Sequence, residues 1–316
     1  MRAPEFWQRR GPAALLLAPL GALYGASVSW KARHARPYRA AARVICVGNL
    51  TAGGSGKTPV ALALGARLKA RGERVFFLTR GYGGTERGPA LVQPESNASQ
   101  MGDEALLLAH SASTIVARDR AEGAAFAVAQ GATTVVMDDG HQNFMLAKDL
   151  SIVVVDGESG FGNGLMIPAG PLRESVAQGL ARADAVIIMN DGNPDLGGYR
   201  GPILRARLVA DGKAFQGRRV FAFAGIGRPE KFLASLQEAG AIVTGTQFFA
   251  DHHPYRAGEI AALKAQAGDA ALVTTEKDLV RLDAKDRAGI AVLPVKARFD
   301  DEAALDRLLD SNRPAV

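Results

Sequence analysis

Short apolar runs alternate with alanine- and leucine-rich stretches over residues 43–189. The apolar runs have the length and β-branched content of buried strands, and they lie at residues 43–47, 74–79, 114–117, 133–137, 151–155 and 185–189. Helical stretches follow the first strand at residues 60–71 and the third at residues 119–130. This alternation predicts an α/β fold with a mostly parallel sheet flanked by helices, which binds ligands at the carboxyl ends of its strands.

The pattern changes after a glycine- and proline-rich stretch at residues 195–202. Strands are expected at residues 203–209 and 219–224, joined by a short turn that contains Asp211 and Gly212. Further elements are expected at residues 229–239, 241–246, 258–267, 270–274 and 290–295. We therefore predict a larger core at residues 43–200 and a smaller C-terminal α/β lobe at residues 201–316, with the active site in the cleft between them.

The N-terminal region, residues 1–42, is apolar in its middle and basic at its ends. Residues 11–30 carry no charge, and residues 1–43 hold eight basic residues against one acidic residue, whereas the remainder of the chain is nearly balanced. This distribution disfavours a nucleic-acid-coating protein and favours contact with an anionic membrane surface. A helix in the membrane interface is the preferred interpretation, and a spanning helix, a signal peptide and a helix packed on the body are the alternatives.

Residues 48–59 read G-N-L-T-A-G-G-S-G-K-T-P between a predicted strand and a predicted helix. Such a turn directs backbone N–H groups and the positive end of a helix towards a phosphate. In the G-x-x-x-x-G-K-[ST] pattern the lysine contacts the β- and γ-phosphates, and the following hydroxyl binds Mg²⁺. The first glycine is replaced here, and the predicted nucleotide-binding residues are Thr51, Ala52, Gly53, Gly54, Ser55, Gly56, Lys57 and Thr58.

Two acidic residues, Asp138 and Asp139, end a predicted buried strand. In phosphate-loop enzymes an acid at this position holds Mg²⁺ directly or through water, although it could instead cap the next turn. Arg173 and Glu174 follow a proline-rich turn, where the arginine could neutralise a transferred phosphate and the glutamate could support the metal. A surface turn is the alternative for this pair.

Asp103 opens a predicted helix after Gly102, and it could be either a helix cap or a catalytic carboxylate. The sequence Asp251-His252-His253 gathers two of the five histidines beside an acid, which favours acid–base or positioning chemistry over zinc binding. Residues 275–278 are a weak candidate for reading a nucleotide base. The single cysteine, Cys46, permits no internal disulfide and fits a reducing compartment.

Together these elements resemble the tetraacyldisaccharide 4′-kinase family, the lipid A 4′-kinases. The matching segments occur in the family's order over nearly the whole chain, at residues 48–59, 80–83, 102–104, 138–142, 168–174, 251–253 and 275–278. The joint match is more specific than any single motif, and threonine at position 51 is usual in this family. The resemblance implies a P-loop fold with an N-terminal membrane-associating helix.

The resemblance also implies transfer of the γ-phosphate of ATP, with Mg²⁺, to the 4′-hydroxyl of an anionic lipid, tetraacylated glucosamine disaccharide 1-phosphate. This would occur at the cytoplasmic face of the bacterial inner membrane, with no nucleic-acid partner. Asp103 would be the catalytic carboxylate, paired with His252. Thr58, Asp138, Asp139 and Glu174 would serve the metal, and Arg173 and Lys57 would stabilise phosphate charge. A membrane-recruited P-loop ATPase or GTPase switch is the alternative.

Overall fold

A computed structural model describes residues 4–311 of the chain. Arg2, counted above in the N-terminal basic cluster, lies outside the described residues. Within residues 4–311 the strands form a nine-stranded sheet and a four-stranded sheet. Both sheets are covered by helices, so the expected α/β class with a mostly parallel sheet is confirmed.

The helices are α1 Pro12–His34, α2 Lys57–Ala70, α3 Ala98–Met101, α4 Asp103–Ala109, α5 Arg120–Ala129, α6 Val176–Leu180, α7 Pro229–Glu238, α8 Ala257–Ala267, α9 Glu276–Leu279 and α10 Glu302–Ser311. The strands are β1 Arg43–Gly48, β2 Val75–Thr79, β3 Ala90–Leu91, β4 Thr114–Val116, β5 Thr134–Asp138, β6 Leu150–Asp156, β7 Ala185–Met189, β8 Ile203–Ala210, β9 Arg219–Ala224, β10 Ile242–Phe248, β11 Ala271–Thr275, β12 Ile290–Leu293 and β13 Val295–Phe299.

The large sheet has the order β13-β8-β7-β6-β1-β5-β2-β4-β3. Strand β1 lies at its centre, with parallel partners β5 and β6 on either side. Every residue of β1, β5, β6 and β7 is buried, which explains why these strands read as continuous apolar runs. The carboxyl ends of β1 and β5 are therefore neighbours, and the loops that follow them form one edge of the sheet.

The predicted boundary near residue 201 does not coincide with the boundary between the two sheets. Strand β8 pairs with β7 in parallel and with β13 in an antiparallel ladder, so both strands belong to the large sheet. The short connection that contains Asp211 and Gly212 leads from one sheet to the other, because β9 pairs with β10 and β11 in the smaller sheet. The element expected at residues 290–295 is divided, because β12 belongs to the smaller sheet and β13 to the larger one.

Helix α1 is continuous through Pro19 and exposes most of its large apolar side chains. Leu16 is 81% exposed and Leu23 is 69% exposed. The buried positions are small residues, Ala14, Gly21 and Gly25. A Cβ atom at Gly21 would lie 2.7 Å from the backbone carbonyl oxygen of Met166, so glycine at this position allows the close approach. The helix thus packs on the body through its small residues and leaves leucines on its surface.

Candidate functional site

The turn between β1 and α2 contains the predicted nucleotide-binding residues 51–58. Gly53 and Gly56 have φ angles of 123° and 87°, which favour glycine, and Gly56 caps the N-terminus of α2. The backbone of Ala52 donates to the carbonyl of Pro171 at 2.7 Å, and the backbone of Arg173 donates to the carbonyl of Leu50 at 2.8 Å. The loop is therefore held against the segment that carries Arg173.

Thr58, the second residue of α2, is joined to the end of β5. Its hydroxyl donates to Oδ2 of Asp138 at 2.8 Å. The other oxygen, Oδ1 of Asp138, is buried and accepts no hydrogen bond from residues 4–311, and the hydroxyl of the loop residue Ser55 is likewise buried without a partner among them. Burial and the nearby carboxylate of Glu104 raise the pKa of Asp138, whereas Lys57 opposes this effect. A buried carboxylate oxygen without a donor is a position that a cation would satisfy.

Asp139 has a φ angle of 55°, a conformation that non-glycine residues seldom adopt. Its Oδ1 accepts from Nη1 of Arg173 at 2.8 Å and lies 3.6 Å from Nζ of Lys57. Burial alone would raise the pKa of Asp139, but Lys57 and Arg173 outweigh it and hold the pKa below its ordinary value. Two predicted phosphate-binding cations thus converge on one carboxylate beside the loop.

Glu174 lies near these residues in sequence but has different partners. Its Oε1 accepts from Nε2 of Gln142 at 2.9 Å, and its Oε2 accepts from Nη2 of Arg182 at 2.5 Å. Gln142 also donates to the carbonyl of Asn49, just before the phosphate loop, at 2.8 Å. The contacts of Glu174 therefore brace the loop, and the expected metal-binding role finds no support in this arrangement.

The structure brings Asp103 and His252 together although 148 residues separate them along the chain. Oδ2 of Asp103, the first residue of α4, lies 3.0 Å from Nδ1 of His252. The backbone of His252 has a φ angle of 60°, and its ring contacts the ring of Tyr82 edge-on at 5.8 Å. His253 lies elsewhere: it stacks on Phe249 and hydrogen bonds to Glu259. The geometry supports the choice of His252 over His253.

Sequence reasoning missed Arg281, which contacts the same carboxylate. Its Nε and Nη2 donate to Oδ2 of Asp103 at 2.9 and 2.5 Å. Burial raises the pKa of Asp103, but the His252 ring, Lys277 and Arg281 outweigh this effect and hold the pKa well below the ordinary value. The signal in the sequence was only positional, because Arg281 follows the acid of the 275–278 motif by three residues.

The base-reading hypothesis for residues 275–278 is not supported by the contacts of Asp278. This carboxylate is fully buried and accepts from the backbone of Gly225, the hydroxyl of Tyr255 and the hydroxyl of Thr275. Lys277 extends in the other direction, to Glu104 at 3.3 Å. The motif therefore joins the smaller sheet unit to α4 of the larger one.

His141, within the matching segment at residues 138–142, is fully buried. Its ring nitrogens bond to the hydroxyl of Ser151 at 3.1 Å and to the carbonyl of Gly179 at 2.9 Å. Burial, Lys148 and Arg182 lower its pKa to about 3, so the ring is neutral at physiological pH. It is a structural residue in this arrangement.

The site combines a strand-turn-helix phosphate loop at the centre of a parallel sheet with a hydroxyl that is hydrogen-bonded to an acid on the adjacent strand. This combination defines a P-loop nucleotide-binding enzyme. The comparisons with known proteins narrow this class. The sequence model of the tetraacyldisaccharide-1-P 4′-kinase family, LpxK, matches residues 13–313. The chain belongs to this family, as its motifs led us to expect, and it is an ATP-dependent lipid kinase of that family.

Individual relatives in this comparison are named as enzymes of the same family. A tetraacyldisaccharide 4′-kinase from Paramagnetospirillum magneticum is 52% identical, over 98% of this chain and 98% of the relative. One from Rhodospirillum centenum is 50% identical, over 98% of this chain and 96% of the relative. Among solved structures, LpxK from Aquifex aeolicus in complex with ATP matches with a TM-score of 0.78 and 25% identity, covering 94% of this chain and 98% of that one.

Proposed function

We propose that the chain transfers the γ-phosphoryl group of ATP to the 4′-hydroxyl of tetraacyldisaccharide 1-phosphate at a membrane surface. In this reaction the 4′-oxygen forms a bond to the γ-phosphorus, the bond from that phosphorus to the β,γ-bridging oxygen breaks, and ADP leaves. The observation that carries the proposal is the Asp103–His252 contact at 3.0 Å. A switch that only hydrolyses nucleotide has no need for such a pair between two structural units.

Mg²⁺ fits the Thr58–Asp138 pair on the chemistry of its donors. One carboxylate oxygen is buried and unpaired, and a hydroxyl lies beside the other. Within residues 4–311 no three His, Cys, Asp or Glu side chains lie together as a metal cluster, and Mg²⁺ characteristically takes one or two protein ligands with phosphate oxygens and water. When bound, the ion would neutralise phosphate charge. Asp139 is also expected at the metal. It accepts a hydrogen bond from Arg173 and directly follows Asp138 in the chain.

Proton removal falls to the Asp103–His252 pair. With Asp103 ionised, Nδ1 of His252 donates to it, which leaves Nε2 of the ring, 3.9 Å from Oδ1 of Asp251, as the acceptor for the proton of the 4′-hydroxyl. The carboxylate fixes this tautomer and stabilises the imidazolium that forms. Phosphoryl transfer depends on positioning and charge neutralisation more than on a strong base, so a weakly basic pair is sufficient.

Lys57 and Arg173 would stabilise the charge on the transferred group. Both cations are on the phosphate-loop edge, and both form ion pairs with Asp139. When phosphate oxygens bind, the two cations would leave the Asp139 carboxylate and contact the more highly charged phosphate groups. Glu174 and Gln142 would maintain the position of the loop.

Helix α1 would place this site at the lipid acceptor. It is the helix within residues 4–311 that is long and apolar enough to cross a membrane by length and composition. Its exposed leucines and the flanking basic residues suit burial in the interface of an anionic bilayer. Because ATP is supplied in the cytoplasm, we place the enzyme at the cytoplasmic face of the inner membrane.

The test is transfer of labelled γ-phosphate from ATP to tetraacyldisaccharide 1-phosphate in detergent. We expect a labelled lipid with the wild-type chain and a loss of at least 100-fold with Asp103→Ala, while ATP binding is retained. Asp269→Ala, at an exposed carboxylate on the second unit, is the matched control and should leave transfer unchanged. ATP turnover without lipid labelling would instead support the membrane-recruited ATPase.

A further inference from the structure

Arg281 is a buried cation that touches the proposed catalytic pair without belonging to it. Its side chain is 6% exposed, and its Nε and Nη2 both donate to Oδ2 of Asp103. Its remaining nitrogen, Nη1, donates to Oδ1 of Asp278 at 2.9 Å and to the carbonyl of Gly225 at 2.7 Å. One guanidinium group therefore bonds to carboxylates on both structural units.

The position of Arg281 is itself fixed by its contacts within the smaller unit. Asp278, its partner in the smaller unit, is fully buried and also accepts from the hydroxyl of Tyr255 at 2.9 Å and the backbone of Gly225 at 2.9 Å. Four donors thus hold this carboxylate, counting Thr275 at 2.7 Å. A guanidinium anchored on so constrained a group has little freedom to move, and its planar fork delivers two donors in one direction.

Asp103 depends on this fork for its orientation. Its Oδ1 accepts only a local bond, from the backbone of Glu104 at 2.9 Å, and its Oδ2 carries the contact with His252. The neighbouring cation, Lys277, is 3.9 Å from the same oxygen but lies closer, at 3.3 Å, to Glu104. Arg281 therefore supplies the directional bonds to the oxygen that meets the His252 ring.

We propose that Arg281 is a positioning residue that sets the Asp103–His252 geometry and makes it conditional on contact between the two structural units. The carboxylate comes from α4 of the large-sheet unit, and both the arginine and the histidine come from the smaller unit. Separation of the units would release Asp103 from both Arg281 and His252. This inference rests on the proposed function, because its consequence is a change in the rate of phosphoryl transfer.

The experiment compares Arg281→Met and Arg281→Lys in the transfer assay with the full chain. Methionine removes every donor, so we expect kcat to fall about 100-fold while the KM for ATP stays within twofold. Lysine keeps the charge, but one ammonium group cannot reproduce the fork to both carboxylates, so we expect a smaller loss of about tenfold. A general loss of structure would change kcat and KM together and would show no recovery with lysine.

Arg287→Met is the matched control. Arg287 lies in the same segment and donates to the carbonyls of Leu282 and Val280, with no contact to Asp103 among its described bonds. We expect its transfer rate to remain within twofold of wild type. A wild-type kcat in Arg281→Lys, or equal losses in Arg281→Met and Arg287→Met, would overturn the positioning role. If the wild-type chain labels no lipid, the proposed function itself fails, which separates the two outcomes.

Discussion

Replacement of His141 by glutamine tests whether this motif residue is structural, as its burial indicates. Gly179 offers only a carbonyl, so Nε2 of the ring must carry the proton and donate to it, while Nδ1 accepts from the hydroxyl of Ser151. The ring is fully buried and has no room for a second proton without placing a charge beside Lys148. The folded state therefore holds His141 neutral down to low pH.

The magnitude follows from the pKa of the ring. Burial, Lys148 and Arg182 lower the pKa from 6.5 to about 3. Between these two pH values the unfolded chain binds a proton at His141 and the folded chain does not. This part of the stability is complete above pH 6.5 and is lost as the pH falls, by about 1.4 kcal/mol for each pH unit until about pH 3. At pH 4.5 the wild type has lost roughly 2.7 kcal/mol through this group.

Glutamine can donate to Gly179 but loses the bond from Ser151, which is worth about 1 kcal/mol, and it does not titrate. We therefore expect His141→Gln to be less stable than wild type by about 1 kcal/mol at pH 7.5 and more stable by about 1–2 kcal/mol at pH 4.5, with the two equal between about pH 5.5 and 6. Urea unfolding followed by circular dichroism in detergent, at several pH values, measures this difference.

Ser151→Ala is the control, because it removes the same hydrogen bond and keeps the titrating ring. Its stability difference from wild type should stay nearly constant with pH. A pH-independent difference for His141→Gln would refute the reasoning. A 100-fold fall in kcat at pH 7.5 with unchanged stability would also refute it, because it would assign His141 a direct part in catalysis.

Three further predictions concern other parts of the site. Asp138→Asn should abolish transfer and the thermal stabilisation by Mg²⁺ and ATP, yet raise the unfolding midpoint of the ligand-free protein at pH 8, because a neutral amide replaces a buried negative charge; a lower midpoint would contradict this. Gly21→Leu should collide with the backbone of Met166 and reduce lipid labelling without changing the KM for ATP, whereas Gly11→Ala, with open space around it, should not. Leu16→Glu, at an 81% exposed position, should weaken sedimentation with anionic vesicles at least tenfold while leaving thermal stability unchanged.

The phosphate loop and the acids after β5 were predictable because their signals are local. A β-strand, a glycine-rich turn and a helix occupy adjacent segments, and the acids directly end the neighbouring strand. The strand bounds at residues 185–189 and 219–224 also agree with the structure, since buried strands consist of unbroken apolar runs. These features depend on residues within about 20 positions of each other, where propensity and periodicity are informative.

Other features depended on pairing between distant segments. Nothing in the pattern of β8 shows that it pairs with β7 and β13 rather than with β9, because a strand's apolar pattern does not specify its neighbour. Glu174 and Asp278 looked like metal or nucleotide ligands in the sequence. The fold instead surrounds each of them with internal donors.

The sequence by itself determined the P-loop class, the family and the basic, apolar N-terminus, because short-range patterns and ordered motifs carry that information. The tertiary structure alone showed that Asp103 and His252 are in contact and that Arg281 joins them. Asp103, His252 and Arg281 come from three separate segments, and their contact depends on how two sheets pack together. Hydrogen bonding and burial act between groups that are close in space, so the distances that set the chemistry of this site exist only in the folded chain.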